Sequence, residues 1–290
     1  MAAGAAEGLR DQAGRNPDGS PDFQPNQMVG ALRRRIAAIE GTRLDDGRRH
    51  AVRLGIAAID AALGGGLALG AVHEVAPAAP VHLGAAFGFA LALAGFAQRA
   101  RQAARQAGDV VWIETVFAAA ETGKPYGLGL EAFGLASARV LVVRVPRPID
   151  ALWAMEEALA CRGVAATIAE LTHGSADLTA TRRLALAARD GGGLGLLVHH
   201  RASPHPIAAM TRWRTAAAAS RADAFGGLGH PAFDLALTKN RHGPCGRWTI
   251  LWDHHERAFR DECALRDPAL SFGVARAALD RPDRALLRAG

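Results

Sequence analysis

The sequence predicts an α/β domain with a mainly parallel central sheet covered by helices, and with antiparallel strands along one edge near the C-terminus. Three observations carry this. Between residues 71 and 199, strand-like and helix-like segments alternate at the spacing of β-α-β units. The strand-like segments are nearly continuous in apolar residues, as in 109–115 (DVVWIET), which suits strands covered on both faces. After His200, three strand-like segments follow one another with no helix between them.

The elements follow in chain order. Residues 1–27 are rich in Gly, Ala, Pro, Asp and Asn and read as a disordered N-terminal tail. Residues 28–53 form the next unit. Val29, Leu32, Ile36 and Ile39 recur at helical spacing, Gly41 ends that helix, and a basic connector follows. The core spans 54–255. Residues 54–63 predict a short helix closed by Gly64-Gly65-Gly66, and 71–76 (AVHEVA) a strand. A long alanine-rich helix is expected over 85–107, ended by Gly108, then the strand 109–115. Residues 128–133 predict a helix, 139–145 a strand, and 149–161 a helix with Pro148 in its first turn. Then come a strand at 164–170, a helix at 178–189 capped by Asp177 or Thr179, and a strand at 195–199. The strands 213–218, 233–239 and 247–252 should extend the sheet as an antiparallel edge. Residues 256–290 read as a partly helical C-terminal tail, either a partner-binding segment or a solvated appendage.

Bulk properties narrow the function classes. The chain has 290 residues, half of them apolar, enough for one large core. No uninterrupted apolar run reaches the roughly 18–20 residues of a membrane span. The nearest, 85–97, runs into Gln98, Arg99 and Arg101. The N-terminus lacks a signal pattern, so a cytoplasmic protein without membrane contact is expected. Cys161, Cys245 and Cys263 have neither metal nor redox spacing and read as reduced structural thiols. The net charge of +6 comes from arginine, since Lys124 and Lys239 are the chain's lysines. That charge is compatible with an acidic partner such as nucleic acid.

Several segments together resemble the ImuA family, whose members are RecA-like and have often been labelled SulA-like cell-division inhibitors. The resemblance spans about 28–253. It rests on LGIAAIDAALGGGLALGAVHEV (54–75), on VVWIET followed by KPYGLGLEAFGL (124–135), and on PRPIDALWAMEEALACRGVAATIAEL (146–171). LTATRRLALAA (178–188) and LTKNRHGPCGRWTILWD (237–253), with a KNK-type turn, complete it. The resemblance implies a RecA-like, P-loop-type fold and a role in DNA-damage-induced mutagenesis and translesion synthesis. It implies as partners an ImuB-like relative of the Y-family polymerases and an error-prone DnaE-type polymerase. RecA and single-stranded DNA are further candidates.

A phosphate-binding loop needs G-x-x-x-x-G-K-[ST] between a strand and a helix. Its amides close around phosphate, its lysine supplies charge and its hydroxyl binds magnesium. The corresponding stretch reads Ala79-Pro80-Val81-His82-Leu83-Gly84-Ala85-Ala86. Gly84 matches. Ala79 stands for the first glycine, Ala85 and Ala86 for the lysine and the hydroxyl residue, and Pro77 and Pro80 lack amide protons. Each charge-assisted hydrogen bond is worth about 1.5–3 kcal/mol, so these losses cost about two to four decades of affinity. No ATP hydrolysis and no cofactor are therefore expected. Glu114 and Glu170, at strand ends where a RecA-like ATPase keeps its catalytic and magnesium-binding acids, read as relics or as partners of arginines.

Other constellations are weaker. Neighbours on a strand face opposite ways, so neither His199-His200 nor His254-His255 chelates by itself, and no metal site is expected. Ser175 and Ser203 lack a nucleophile elbow. Arg212 and Arg214 flank Trp213 on a strand and share a face. They are either a phosphate-contacting edge or solvated arginines beside a core tryptophan. Lys239 and Arg241 in the KNK-like turn are either subunit contacts or parts of a plain hairpin. The leading expectation is a non-catalytic scaffold. The alternatives are a DNA-dependent ATPase or recombinase and a cell-division inhibitor.

Overall fold

The computed structural model describes residues 51–261, apart from 173–175, 203, 221–226 and 228. The tail at 1–27, the helix expected from residue 28, most of the connector and the tail beyond 261 lie outside the described residues. A two-stranded ribbon, β1 (Ala51–Val52) and β2 (Leu67–Ala68), flanks α1 (Ala57–Ala62). The sheet strands are β3 (Ala71–Pro77), β4 (Asp109–Thr115), β5 (Val140–Val145), β6 (Val164–Leu171), β7 (Leu194–His199), β8 (Thr211–Ala218), β9 (Ala232–Asn240), β10 (Gly246–Asp253) and β11 (Ala258–Asp261). The helices between them are α2 (Leu83–Ala103), α3 (Val116–Thr122), α4 (Gly127–Ala132), α5 (Pro148–Ala160) and α6 (Leu178–Gly191).

The nine strands lie in the order β11-β10-β9-β8-β3-β7-β6-β4-β5. All pairs from β8 to β5 are parallel, and those among β8, β9, β10 and β11 are antiparallel. The large, mainly parallel sheet flanked by helices is therefore as expected, with one correction. β8 was read as part of the antiparallel edge, but it runs parallel to β3 and is the strand at which the sheet changes direction. Its partner on the other side, β9, makes the antiparallel turn.

Two cores sandwich the sheet. On one face α2 packs Phe89 and Leu93 against Trp112, Ile168, Trp213 and Trp252. On the other, α5 and α6 bring Met155, Leu159 and Leu184 onto Val72, Ile113 and Leu197. Asp177 caps α6 by accepting from the Ala180 amide at 2.7 Å, and Gly192 ends it in the left-handed conformation. α2 starts two residues before the expected helix and ends four residues before it. Gln98 explains the early stop: its side chain donates to Gly108 O at 2.9 Å and accepts from Ala136 N at 2.7 Å. That grip turns the chain back through Arg105, which takes a φ of 55°.

With the turn before it, α2 makes a stretch of 24 residues, Pro80–Ala103, long and apolar enough by composition to cross a membrane. Gly84, Gly88, Gly95, Arg99 and Arg101 interrupt that stretch, so it is not one of the uninterrupted runs considered above. In this fold 61% of that stretch's most apolar window is buried inside the protein, as in a mostly buried core helix. Gly95 allows the close cover. A Cβ there would sit 2.7 Å from the carbonyl oxygen of Phe133, which crosses the outside of the helix.

The ribbon strands β1 and β2 were not expected, and neither were α3 and β11. α3 starts immediately after β4, where Thr115 Oγ1 accepts from Ala118 N at 3.1 Å and caps it. β11 falls in the stretch read as tail. Its Phe259 is buried against Phe89, Phe96 and Trp252, so the sheet continues past residue 255.

The middle strand β3 carries two buried polar residues on opposite faces, His73 and Glu74. His73 accepts from Thr211 Oγ1 at 2.7 Å through Nδ1 and donates to Ala68 O at 2.9 Å through Nε2. Trp213 Nε1 donates to the same hydroxyl at 2.8 Å. Every polar atom of the neutral ring is thus matched, and burial pushes its pKa from 6.5 down to about 4. The folded value lies below the unfolded one, so the unfolded chain takes this proton first as the pH falls. The His73 contribution is complete above about pH 6.5 and is lost as the pH falls toward 4, by up to about 3 kcal/mol. Urea midpoints of the native protein should drop across that window, and His73→Gln should remove that part of the slope.

Candidate functional site

The C-terminal ends of parallel strands are where open α/β sheets bind ligands. β3 ends there in the stretch that the sequence compares with a phosphate-binding loop. Ala79 is extended and Pro80–His82 form a single 3-10 turn before α2. Four positions at or beside this stretch offer no free amide proton. Ala78 N donates to Thr215 O at 2.7 Å and His82 N to Ala79 O at 2.9 Å, while Pro77 and Pro80 have none. His82 Nδ1 accepts from Ala217 N at 3.3 Å, which ties the turn to β8. Ala85 and Ala86, at the lysine and hydroxyl positions, are buried in the α2 core. Gly84 lies in the first turn of α2, and a Cβ there would meet nothing within 4 Å.

Glu114 and Glu170 lie deeper on the same face. β4 and β6 pair Ile113 with Ala169, so the two glutamates are next in register and stand side by side. Both are fully buried; each is bonded to side chains of the chain's own at Oε1, and the Oε2 of each has no hydrogen-bond partner among the described residues. Glu114 Oε1 accepts from Arg144 Nε at 2.9 Å and from its Nη2, across the β4–β5 register. Glu170 Oε1 is 2.6 Å from His200 Nε2 and accepts from Thr122 Oγ1 at 3.0 Å. Phe87 of α2 stacks on Trp112 and meets His200 edge-on, which closes the site from above. Glu114 is thus an arginine partner, as the sequence allowed. The partner of Glu170 is a histidine and a threonine, neither of which sequence spacing pointed to.

The opposite face of β3 gathers the basic residues singled out in the sequence. Glu74 is fully buried and opposes Arg212 in the β3–β8 register. Arg212 Nε donates to its Oε2 and Arg214 Nη1 to its Oε1, the latter at 3.1 Å. The arginine side chains are 15% and 17% exposed. This corrects one reading of Arg212-Trp213-Arg214. Trp213 is a core residue, but the arginines are not solvated: they neutralise a buried carboxylate, which holds them against the sheet. Sequence reasoning missed Glu74. The signal was a lone acid inside the apolar strand AVHEVA.

Lys239 opposes Arg212 on β9 and donates to Ile207 O at 2.7 Å. Burial, then the charges of Arg212 and Arg241, hold its ammonium below the ordinary lysine range. Arg241 is exposed in the β9–β10 turn, its amide bonded to Met210 O at 3.0 Å. The turn is pinned by Asn240 Nδ2, which donates to Ala62 O at 2.8 Å and to Pro244 O at 3.1 Å. His199 points into the Glu74 face. Burial lowers its pKa, opposed by Glu74 and reinforced by Arg214 and Arg212. Its neighbour His200 faces the other way, toward Glu170, as strand alternation requires. Among the described residues no three His, Cys, Asp or Glu side chains are grouped to hold a metal ion.

Fold and site together define an α/β protein whose two strand-end carboxylates are each bonded to its own side chains at one oxygen. No family model matches the chain. It is 34% identical over 200 residues to Protein ImuA from two strains of Caulobacter vibrioides, an alignment covering 64% of this chain and 77% of that protein. The chain belongs to the ImuA family, as its motifs indicated.

Arg144→Met strips a buried carboxylate of its cation and should cost about 2–3 kcal/mol in urea unfolding. Removing the carboxylate as well, in Glu114→Leu with Arg144→Met, should recover most of that loss. A double variant no more stable than Arg144→Met would contradict this account of the pair.

Proposed function

We propose that this chain is a non-catalytic, RecA-like accessory protein in DNA-damage-induced mutagenesis and translesion synthesis, working by assembly rather than turnover. Membership of the ImuA family supports the process. The loop between β3 and α2, the acids at the ends of β4 and β6 and the β9–β10 hairpin support the RecA-like reading. One observation carries the non-catalytic part. Ala85 and Ala86 are packed into the core, and the amides of Ala78 and His82 are spent on β8 and on the turn itself. Nothing in that loop presents a charge or a hydroxyl to a triphosphate.

In this reading the protein is cytoplasmic, uses no cofactor and holds an ImuB-like polymerase relative and an error-prone DnaE-type polymerase together at damaged template. RecA and single-stranded DNA are further partners. Arg241 is the exposed basic residue of the four singled out, and so the one best placed for a contact with DNA or with another subunit.

A second reading, a DNA-dependent ATPase, has one observation in its favour: Glu114 and Glu170 still stand side by side at the strand ends. Titration with labelled MgATP, alone and with single-stranded DNA, separates the two. The scaffold reading expects no saturable binding in the micromolar range. It also expects an ImuB-like protein to co-purify with the full chain from damaged cells. Micromolar MgATP binding would favour the ATPase, and failure to recover that partner would remove the scaffold.

A further inference from the structure

The two outer edges of the sheet are built differently. β11 is four residues long, with Arg260 donating to Asp253 at 2.7 Å and Asp261 beside it. Short, charged edges resist pairing with other chains. β5 is six residues long, VLVVRV, and among the described residues its backbone pairs with β4 alone. Leu141 and Val142 are 61% and 40% exposed, and they face opposite sides of the sheet. Its one charged side chain, Arg144, is turned onto Glu114 and guards nothing. No proline or bulge interrupts the strand. Such an edge is a template for one more strand.

The chain carries a segment with the matching pattern outside the described residues. Upstream of Ala51 the apolar residues Val29, Leu32, Ile36 and Ile39 follow helical spacing, which suits no strand. Downstream of Asp261, Leu270, Phe272 and Val274 alternate with Ser271, Gly273 and Ala275. That is a period of two over six residues, the length of β5.

Reach decides whose segment can fill the edge. A strand added outside β5 lies nine strand spacings from β11, about 43 Å at about 4.8 Å each. The nine steps from Asp261 to Leu270 span at most about 32 Å fully extended. The chain's own segment falls short of its own β5.

We propose that the β5 edge receives the segment 270–275 of a second copy of this chain. Each copy offers one edge and one segment, so the contact is head-to-tail and either closes as a reciprocal dimer or continues into a longer assembly. This inference stands apart from the functional reading, since it concerns self-association alone.

Light scattering on the full chain at about 50 micromolar should give at least twice the 30.3 kDa of one copy. A chain truncated after Asp261 and a chain carrying Leu141→Lys with Val142→Lys should each be monomeric, with the circular dichroism of a folded α/β protein. Mixed, these two should form a one-to-one complex, because each supplies what the other lacks. Phe272→Ser should weaken self-association at least about tenfold. A monomeric full chain, self-association by the truncated chain, or no complex on mixing would each overturn the proposal.

Discussion

The junction between β3 and β8 holds this molecule together. β3 is the middle strand, and two of its consecutive residues are polar and fully buried. Strand alternation sends His73 to one face and Glu74 to the other. Each needs partners there, because an unmatched polar group in a core costs about 1–3 kcal/mol and an unmatched charge more. β8 supplies both sets: Thr211 for the imidazole, Arg212 and Arg214 for the carboxylate. These contacts come from both faces at once, so they define which strand lies beside β3 and in which register. The sheet turns from parallel to antiparallel at that strand.

The same economy of charge governs the strand ends. An α/β sheet of this order leaves a crevice where a nucleotide would place phosphates and magnesium. Here each buried acid on that side is met at one oxygen from within the chain, Glu114 by Arg144 and Glu170 by His200 and Thr122. The loop above is bonded to β8 and to itself, and the helix after it is packed with alanine where a lysine would stand.

Much of this architecture was legible in the sequence. Helices such as α5 and α6 announced themselves by Pro148, Asp177 and the glycines after their ends. The central strands were legible as short apolar runs between turn residues. The departures of residues 79–86 from a phosphate-binding pattern were a matter of residue identity at known spacing. The misses share a cause. α3 is seven residues long and its cap, Thr115, is also the last residue of a strand, so no separate start signal was present. β11 is four residues long and depends on Phe259 reaching an aromatic cluster contributed by α2, β9 and β10. The early end of α2 was set by Gln98 reaching Gly108 and Ala136, a contact no periodicity reports.

The sequence by itself determined the mixed α/β class, the order of most elements, the absence of a lysine and a hydroxyl residue after Gly84, and the family. These depend on local properties: periodicity, capping residues and the presence or absence of particular side chains. Only the tertiary structure decided the direction of β8, the placing of Glu114 beside Glu170, and the capture of Arg212 and Arg214 by Glu74. The partners in those contacts lie 30 to 140 residues apart. Register between distant strands brings them together, and nothing in their immediate neighbourhood along the chain encodes it.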